Sequence, residues 1–348
     1  MVLFARKGFQ TAMRNKIVLA YKTPERMPGL SHAGLGVCAI NLCKVLAEAG
    51  LTPEIWPVFD GFALQERLRA DSAVRDVILF APWMDTHFLH SLVTEQRDVT
   101  FAMVCHSNIA FLQADRWAMK IIREEIALEQ LVPNFHVAGN SKKFCAFIRE
   151  AYGARCAYLP NLYSLAGVKQ TRSHYQHGVL RLGIFGATRQ LKNIMTAAAA
   201  ALLISERLAV ETEVFVSSGR EEGGYGVMDS VKQMLMGKRR AMLVESSWQP
   251  WQEFRETCRY MHLMLQPSFT ETFNIVTADG IAVGVPSVVS ETIDWVPAKW
   301  VAHADDPGHI AEIGMRLLRD RGAAGEGLEY LRKYNRAGLR AWFEYLSL

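Results

Sequence analysis

The sequence predicts an α/β protein with two Rossmann-like domains, each built from a parallel sheet covered by helices. Two observations lead to this fold class. The chain has 348 residues, more than the ~150 that one ordinary domain contains. From residue 16 onward, short β-rich runs alternate with longer helical patterns, as in parallel sheets with crossover helices.

The first half, residues 1–165, is predicted to form one such domain. A helix starting near Gly36 carries an apolar stripe of Cys38, Leu42, Val45 and Ala49. The predicted strands are Lys16–Tyr21, Pro53–Phe59, Val77–Ala81, Thr100–Cys105, Phe135–Ala138 and Cys156–Leu159.

The second half repeats the pattern after a polar stretch, residues 166–178, which is typical of an interdomain linker. Residues 179–330 form the second predicted domain, with a long helix from about Leu191 to Arg207. Its predicted strands are Leu180–Phe185, Glu213–Val216, Ala241–Val244, Leu263–Gln266 and Ser287–Val289. Residues 331–348 continue an aromatic helix that packs onto its own domain or crosses back to the first.

Composition excludes several classes of protein. The longest apolar stretch, Ile194 to Ile204, is about half of the ~20 residues that a membrane span requires. The basic N-terminus has too short an apolar core for a signal peptide, so we expect a cytoplasmic protein. Six cysteines without a Cys-x-x-Cys pair indicate buried, reduced thiols. The net charge of +4 does not demand a nucleic-acid partner.

The strongest functional signal lies in residues 264–291. A strand ends at Pro267, a polar turn follows, and a short helix is predicted from about Phe273 to Val283. Glu271 and Asp279 bracket the start and middle of that helix, and burying Asp279 requires a hydrogen-bonding partner, which a ribose diol could supply. Free backbone N–H groups at the helix start suit a phosphate or a sugar hydroxyl. The residues expected to contribute are Thr272, Phe273, Asn274 and Ile275.

A second candidate site is the loop in residues 182–193, where a strand runs through Gly186 into a helix. Arg189 and Lys192 are expected at the start of that helix, where backbone amides and the helix dipole favour an anion. Two such cations could stabilise a departing diphosphate without a metal. Two solvated loop side chains are the alternative.

Three residues of the first half could complete a site. Gly34 and Gly36, in the loop after the first strand, let the backbone approach a ligand, although a tight turn explains them equally well. His106 follows the strand Thr100–Cys105 and is expected at the carboxyl edge of the sheet, where α/β proteins bind ligands. A structural histidine is its alternative, and His32 is a weaker candidate of the same kind.

The motif in residues 264–291 resembles glycosyltransferase family 4, whose members carry two glutamates separated by seven residues and then a Gly-x-Pro strand start. Glu271 matches the first acid and Gly284-Val285-Pro286 follows in place, whereas Asp279 stands where the family has its second glutamate. Lys192 matches the family's diphosphate-binding lysine, but Ala187 occupies the position of its arginine.

This resemblance implies the GT-B architecture, in which two Rossmann-like domains place their parallel sheets on either side of a central cleft. It implies a metal-independent, hexosyltransferase-like enzyme that uses a nucleoside-diphosphate sugar and retains anomeric configuration. Glu271 would orient the sugar, Lys192 with Arg189 would bind the diphosphate, and Asp279 would bind the ribose. His106 and the loop of Gly34 and Gly36 would complete the site from the other domain.

The resemblance leaves the acceptor open: it could be a glycan, a small molecule, a lipid or a modified nucleic-acid base. The donor is the only other ligand that it implies, with no further cofactor. A nucleotide-sugar epimerase or phosphorylase on the same fold is one alternative function. A non-catalytic nucleotide-sugar-binding protein is another, motivated by Asp279 and Ala187.

Overall fold

The structure is a computed structural model that describes residues 16–23, 34–113, 116–168, 170 and 175–347. These residues form two compact units. Unit 1 contains the described residues up to Ser164 together with those from Asn335 onward, and unit 2 is Leu165–Tyr334.

Unit 1 is built on a six-stranded parallel sheet of order β2-β1-β3-β4-β5-β6. Its strands are β1 (Lys16–Lys22), β2 (Thr52–Val58), β3 (Val74–Phe80), β4 (Thr100–Cys105), β5 (Phe135–Gly139) and β6 (Ala157–Tyr158). Its helices are α1 (Gly34–Glu48), α2 (Gly61–Ala70), α3 (Thr86–Glu95), α4 (Ile109–Leu112), α5 (Ala118–Leu131) and α6 (Lys142–Tyr152). Alternate residues of each strand face opposite sides of a sheet, so both faces can be covered by helices.

Each face of this sheet has its own apolar core. Along β1, Val18 and Ala20 enter one core, while Ile17 and Leu19 enter the other, which also contains Trp342 near the C-terminus. Trp342 is 1% exposed and its Nε1 donates to Pro160 O at 2.9 Å. Residues after 334 therefore belong to the core of unit 1.

Unit 2 contains a second six-stranded parallel sheet, of order β12-β11-β10-β7-β8-β9. Its strands are β7 (Leu180–Ile184), β8 (Thr212–Ser217), β9 (Ala241–Ser246), β10 (Leu263–Gln266), β11 (Ser287–Ser290) and β12 (Val301–Ala302). Its helices are α7 (Ile194–Leu208), α8 (Val227–Leu235), α9 (Trp251–Tyr260), α10 (Ile275–Val283), α11 (Pro307–Arg319) and the first part of α12 (Ala323–Tyr345). Numbered from its own first strand, this sheet has the Rossmann order 3-2-1-4-5-6.

The predicted strands are all present, with several ends shifted by up to a few residues, and Thr100–Cys105 and Leu263–Gln266 have the predicted bounds. The two-residue strand β12 has no counterpart in the prediction. Part of the stretch predicted as a linker, residues 166–178, contacts unit 2. Gln170 Nε2 donates to Ile281 O at 2.8 Å and to Ala324 O at 3.0 Å.

Candidate functional site

The candidate site of unit 2 lies at the carboxyl ends of β7 and β10, which are neighbours in the sheet. The strand order reverses between these two strands, and such a switch point is where open α/β sheets bind ligands. Gln266 at the end of β10 donates through Nε2 to Phe185 O, just beyond β7, at 3.1 Å. This hydrogen bond holds together the starts of the two loops that follow β7 and β10.

Lys192 and Glu271, one from each of these loops, form an ion pair. Lys192 Nζ lies 2.5 Å from Glu271 Oε1, and the side chains are 20% and 11% exposed. The lysine side chain passes Gly186, since a Cβ built on that glycine would lie 3.7 Å from Lys192 Cε. Gly186 has a φ of 129°, a conformation that side chains rarely adopt, so the glycine is required by the turn itself.

Two further side chains hold the Glu271 carboxylate. Ser268 Oγ donates to Glu271 Oε1 at 2.9 Å, and Asn274 Nδ2 donates to the same oxygen at 3.1 Å. Ser268 was not among the predicted residues, although it precedes Glu271 in the same polar turn. The carboxylate is thus positioned by three donors and stays partly open to solvent.

The helix expected from Phe273 begins two residues later, at Ile275, with Asn274 as its N-cap. Asn274 adopts a left-handed conformation and its Oδ1 accepts from Thr277 N at 2.8 Å, so the N-cap pairs one N–H of the first turn, at a residue that was not among the predicted ones. The Phe273 side chain is 1% exposed and stacks on Trp295. Phe273 therefore anchors the loop, whereas Thr272 and Ile275 remain partly exposed.

The sequence predicts that Arg189 and Lys192 lie at the start of an α-helix, but the structure places both residues before it. Residues Gln190–Lys192 form a 3₁₀ turn, and α7 begins only at Ile194. The helix is delayed because Asn193 adopts a left-handed conformation, which lets its Nδ2 donate to Pro267 O at 2.9 Å. The turn therefore fastens the lysine-bearing loop to the loop after β10.

A second ionic cluster joins Arg189 to the loop after β8. Glu222 forms ion pairs with both Arg189 and Arg220. Backbone bonds hold the two loops together: Thr188 N donates to Arg220 O and Glu222 N donates to Thr188 O, each at 2.9 Å. Burial lowers the pKa of Arg189, as does the neighbouring Arg220, while Glu271 raises it. Arg189 therefore lies within electrostatic range of both ion pairs.

Sequence reasoning missed Arg220 and Glu222. Their loop, SSGREEGG, is rich in glycine and charge and directly follows β8. Because β7 and β8 are parallel neighbours, the loops after them must meet at the same edge of the sheet. That pairing was the signal that could have identified both residues.

Asp279 is buried, at 1% exposure, and accepts a hydrogen bond from within the protein. Trp251 Nε1 at the start of α9 donates to Asp279 Oδ1 at 2.8 Å, and the ribose contact expected from the sequence stays a prediction. The protein itself thus satisfies the carboxylate. Nearby, Arg220 stacks on the Trp248 ring at 4.8 Å, so both tryptophans of this segment contact site residues.

In unit 1, His106 follows β4 as predicted, at the carboxyl edge of the sheet. Its Nδ1 lies 3.2 Å from Asn140 Nδ2, and its ring stacks on Phe80 at a centroid distance of 5.0 Å. Burial lowers the pKa of His106 to about 3, so the ring is neutral at physiological pH. A neutral ring hydrogen-bonds a ligand but does not attract an anion.

Gly34 and Gly36 lie in the first turn of α1 and not in a loop, because that helix starts at Gly34. A Cβ on Gly34 would have no atom of the described residues within 4 Å. The predicted candidate His32 lies outside the described residues.

Two features are absent from the described residues. No helix among them is both long enough and apolar enough to cross a membrane. Within the same part of the chain, no cluster of three or more His, Cys, Asp or Glu side chains is arranged to hold a metal ion.

Comparisons with known proteins bear on the family resemblance and on the fold. Residues 156–293 match the family described as family 4 glycosyltransferases in conflict systems, which confirms the predicted resemblance over that segment. Comparison with curated proteins gives no match.

Several solved structures share the fold. Trehalose-6-phosphate synthase OtsA is 10% identical, with 94% of this chain and 98% of that chain covered and a TM-score of 0.69. A UDP-forming α,α-trehalose-phosphate synthase from Burkholderia xenovorans, in complex with glucose-6-phosphate, is 10% identical, with coverages of 95% and 100% and a TM-score of 0.63.

A mutant of S. aureus TarM, in complex with fondaparinux, α-GlcNAc-glycerol and UDP, is 14% identical with a TM-score of 0.58. The alignment covers 78% of this chain but 55% of TarM, so the chain spans about half of TarM's length. At these identities the structures show the fold, which is the GT-B architecture expected from the sequence.

Proposed function

We propose that this chain, which has the GT-B fold and resembles family 4 glycosyltransferases, transfers a sugar from a nucleoside-diphosphate sugar to an acceptor hydroxyl with retention of configuration. The observation that carries the proposal is the ion pair of Lys192 and Glu271 at the switch point of the unit 2 sheet. A cation beside a positioned carboxylate at a switch point supports binding of a donor's diphosphate and sugar by these two side chains.

The donor diphosphate would bind to the cations of the two loops after β7 and β8. Lys192 is the first, and Arg189 and Arg220 share the single counter-charge of Glu222. Three cations against Glu271 and Glu222 leave a net positive charge, which favours a diphosphate. These cations would stabilise the negative charge that develops as the diphosphate leaves, the role that the metal-independent mechanism requires.

Glu271 would face the donor sugar. Its carboxylate is fixed by Ser268 and Asn274, so it could accept a sugar hydroxyl without reorganising, while Lys192 turns to the diphosphate. In the transfer step, the bond from the anomeric carbon to the phosphate oxygen breaks. The acceptor oxygen bonds to the same face of that carbon, and its proton passes to the departing diphosphate.

The nucleoside would lie near α9 and α10. Asp279 is our proposed ribose-binding residue, with Trp251 holding its carboxylate in place. The partly exposed Thr272 and Ile275 would border the sugar and phosphate. The UDP in the TarM complex makes uridine nucleotides the first donors to test.

A second candidate function is nucleotide-sugar binding without transfer. One observation favours it: Asp279 is buried and already accepts a hydrogen bond from Trp251. A carboxylate so engaged would bind a ribose less readily than an exposed glutamate. Saturable donor binding with neither hydrolysis nor transfer would establish this function.

Release of nucleoside diphosphate from a panel of nucleotide sugars, with pooled acceptors, tests the main proposal. Glu271→Ala should abolish release and preserve the fold, whereas Glu312→Gln, an exposed change on α11, should leave the rate unchanged. Turnover at the wild-type rate by the folded Glu271→Ala variant would refute the assignment.

A further inference from the structure

Unit 1 contains a cavity of about 260 Å³ that the proposed donor site does not use. It lies beyond the carboxyl end of β3, between residues 82–86 and the start of α5. β3 is the neighbour of β1, and the strand order of this sheet reverses between these two strands. The cavity is therefore at the kind of sheet edge where α/β domains bind small ligands. We call it the tryptophan pocket, because Trp83 and Trp117 line it.

The two tryptophans give the pocket flat aromatic surfaces, with the Arg116 guanidinium 4.6 Å and Lys120 Nζ 5.6 Å from the centroid of the Trp117 ring. Trp117 is 51% exposed, an unusual position for so large an aromatic side chain. Trp83 is aimed by a sharp turn: Ala81 has a φ of 73°, and Trp83 N donates to Ala81 O at 3.1 Å. A left-handed conformation at a non-glycine residue is strained, and such strain concentrates at ligand sites.

Charged side chains complete the wall. Asp85 and Glu124 supply carboxylate oxygens and Lys120 supplies an ammonium group. Thr86 Oγ donates to Glu124 Oε2 at 3.0 Å, which fixes that carboxylate. Trp83 Nε1 is shielded from solvent and donates to none of the described residues. An unsatisfied buried donor is costly, and a ligand hydroxyl would relieve that cost.

The balance of charge selects the class of ligand. Lys120 Nζ lies 3.6 Å from Glu124 Oε1, and the Arg116 guanidinium lies over the Trp117 ring, so two cations balance the two carboxylates and the site favours a neutral ligand. Aromatic faces flanked by carboxylate acceptors and N–H donors suit a molecule with apolar C–H faces and a rim of hydroxyl groups. The volume lies just below the ~300 Å³ at which pockets for drug-sized ligands begin, so it suits one ring.

We infer that the tryptophan pocket binds a neutral sugar ring, and that the acceptor of the transfer reaction is a carbohydrate. The second half of this inference rests on the proposed function; binding of the sugar ring does not. The ring would lie on Trp117, with hydroxyl groups directed to Glu124 and Trp83.

Saturation-transfer NMR and calorimetry with methyl glycosides of glucose, galactose, mannose and N-acetylglucosamine test the pocket. At least one glycoside should bind, and Trp117→Ala should weaken it about tenfold, equivalent to ~1.4 kcal/mol. Trp83→Phe, which keeps an aromatic ring but removes the N–H, should weaken it several-fold. Leu131→Ala, an exposed change at the end of the same helix α5, should leave it unchanged.

Three results would overturn the inference: no glycoside binds, binding is unchanged in both tryptophan variants, or glucose-6-phosphate or a nucleoside binds more tightly than the neutral glycosides. Binding of a panel of nucleoside diphosphates, starting with uridine diphosphate, is measured on the same wild-type and Leu131→Ala samples. If a glycoside binds but no nucleoside diphosphate does, the proposed function is refuted and the sugar pocket stands. If a nucleoside diphosphate binds but no glycoside does, the sugar pocket is refuted and the proposed function stands.

Discussion

Lys192 Nζ lies 2.5 Å from Glu271 Oε1, so the residue proposed to bind the diphosphate and the residue proposed to face the sugar neutralise each other. A diphosphate that binds Lys192 must compete with this carboxylate, and a sugar that binds Glu271 must compete with this ammonium group. The two halves of the donor would thus replace one ion pair with two contacts. Each charge can be removed separately, which makes the arrangement testable.

Glu271→Gln should separate binding from transfer. The glutamine can still accept hydrogen bonds from Ser268 and Asn274, but it no longer attracts Lys192 or repels a diphosphate. We expect uridine diphosphate to bind equally well or a few-fold more tightly, while sugar transfer falls at least ~100-fold, the scale of losing one preorganised group. Calorimetry and a transfer assay measure the two effects. Weaker nucleotide binding with unchanged transfer would contradict this role of Glu271.

Arg220→Ala should weaken binding of the diphosphate without changing affinity for the nucleoside. Arg220 and Arg189 share Glu222, so removing one arginine leaves the other neutralised by the full carboxylate charge. The dissociation constant of uridine diphosphate should rise about tenfold, with a weaker dependence on salt because one charge is lost. Arg239→Ala, an exposed change in the same unit, is the control. Equal effects on nucleoside and diphosphate would argue against a phosphate contact.

Gly224→Ala should disrupt the ionic cluster through the backbone. A Cβ at this position would lie 2.5 Å from Thr188 O, which accepts from Glu222 N, so the two loops must separate. We expect a loss of about 1–3 kcal/mol in the free energy of unfolding, as for overpacking, and weaker diphosphate binding. Gly325→Ala, on helix α12 with no atom of the described residues within 4 Å of the new Cβ, should be neutral or slightly stabilising. Wild-type stability and binding in Gly224→Ala would show that the loops tolerate separation.

Two buried groups of unit 1 should act on stability in opposite directions as the pH falls. Burial lowers the pKa of His106 to about 3, so the unfolded chain takes up this proton first and stability is lost below about pH 6.5. Burial raises the pKa of Asp76 to about 6, so the folded chain takes up this proton first and stability is lost as the pH rises through 6.

His106→Asn should therefore make the protein less sensitive to acid between pH 6.5 and 4, and Asp76→Asn should make it more sensitive. Each group contributes a slope of up to ~1.4 kcal/mol per pH unit. Urea unfolding at intervals across this range measures the slopes. Identical pH profiles for the wild type and both variants would show that neither group changes its pKa on folding.

Much of the fold was predictable because its strands are short apolar runs with polar borders. The strand Leu263–Gln266 is buried at every position, and its predicted bounds are those observed. The two-residue strand β12 has too few residues to form a pattern. Helix starts were harder to predict, since Asn193 and Asn274 adopt left-handed conformations just before two helices. Asn193 bonds to the distant Pro267 O, whereas Asn274 caps its own helix.

Site residues could be predicted where the sequence pattern of a single loop identified them. They were harder to predict where the site depends on contacts between segments far apart in the sequence. Glu271 and Lys192 were identified from their own loops. Arg220 and Glu222 required knowledge that β7 and β8 are neighbours, and the partner of Asp279 required the position of Trp251 on another helix. A hydrogen bond between residues far apart in sequence leaves no local pattern from which to predict it.

Thermal stability measured against a panel of nucleoside diphosphates and nucleotide sugars tests the proposed donor site most directly. A ligand at ~100 times its dissociation constant should stabilise the wild type by about 2.7 kcal/mol. We predict a shift with one type of base, lost in Lys192→Ala and retained in Lys238→Ala, an exposed control in the same unit. No shift with any nucleotide, or a shift that survives in Lys192→Ala, would contradict a donor site built on Lys192 and Glu271.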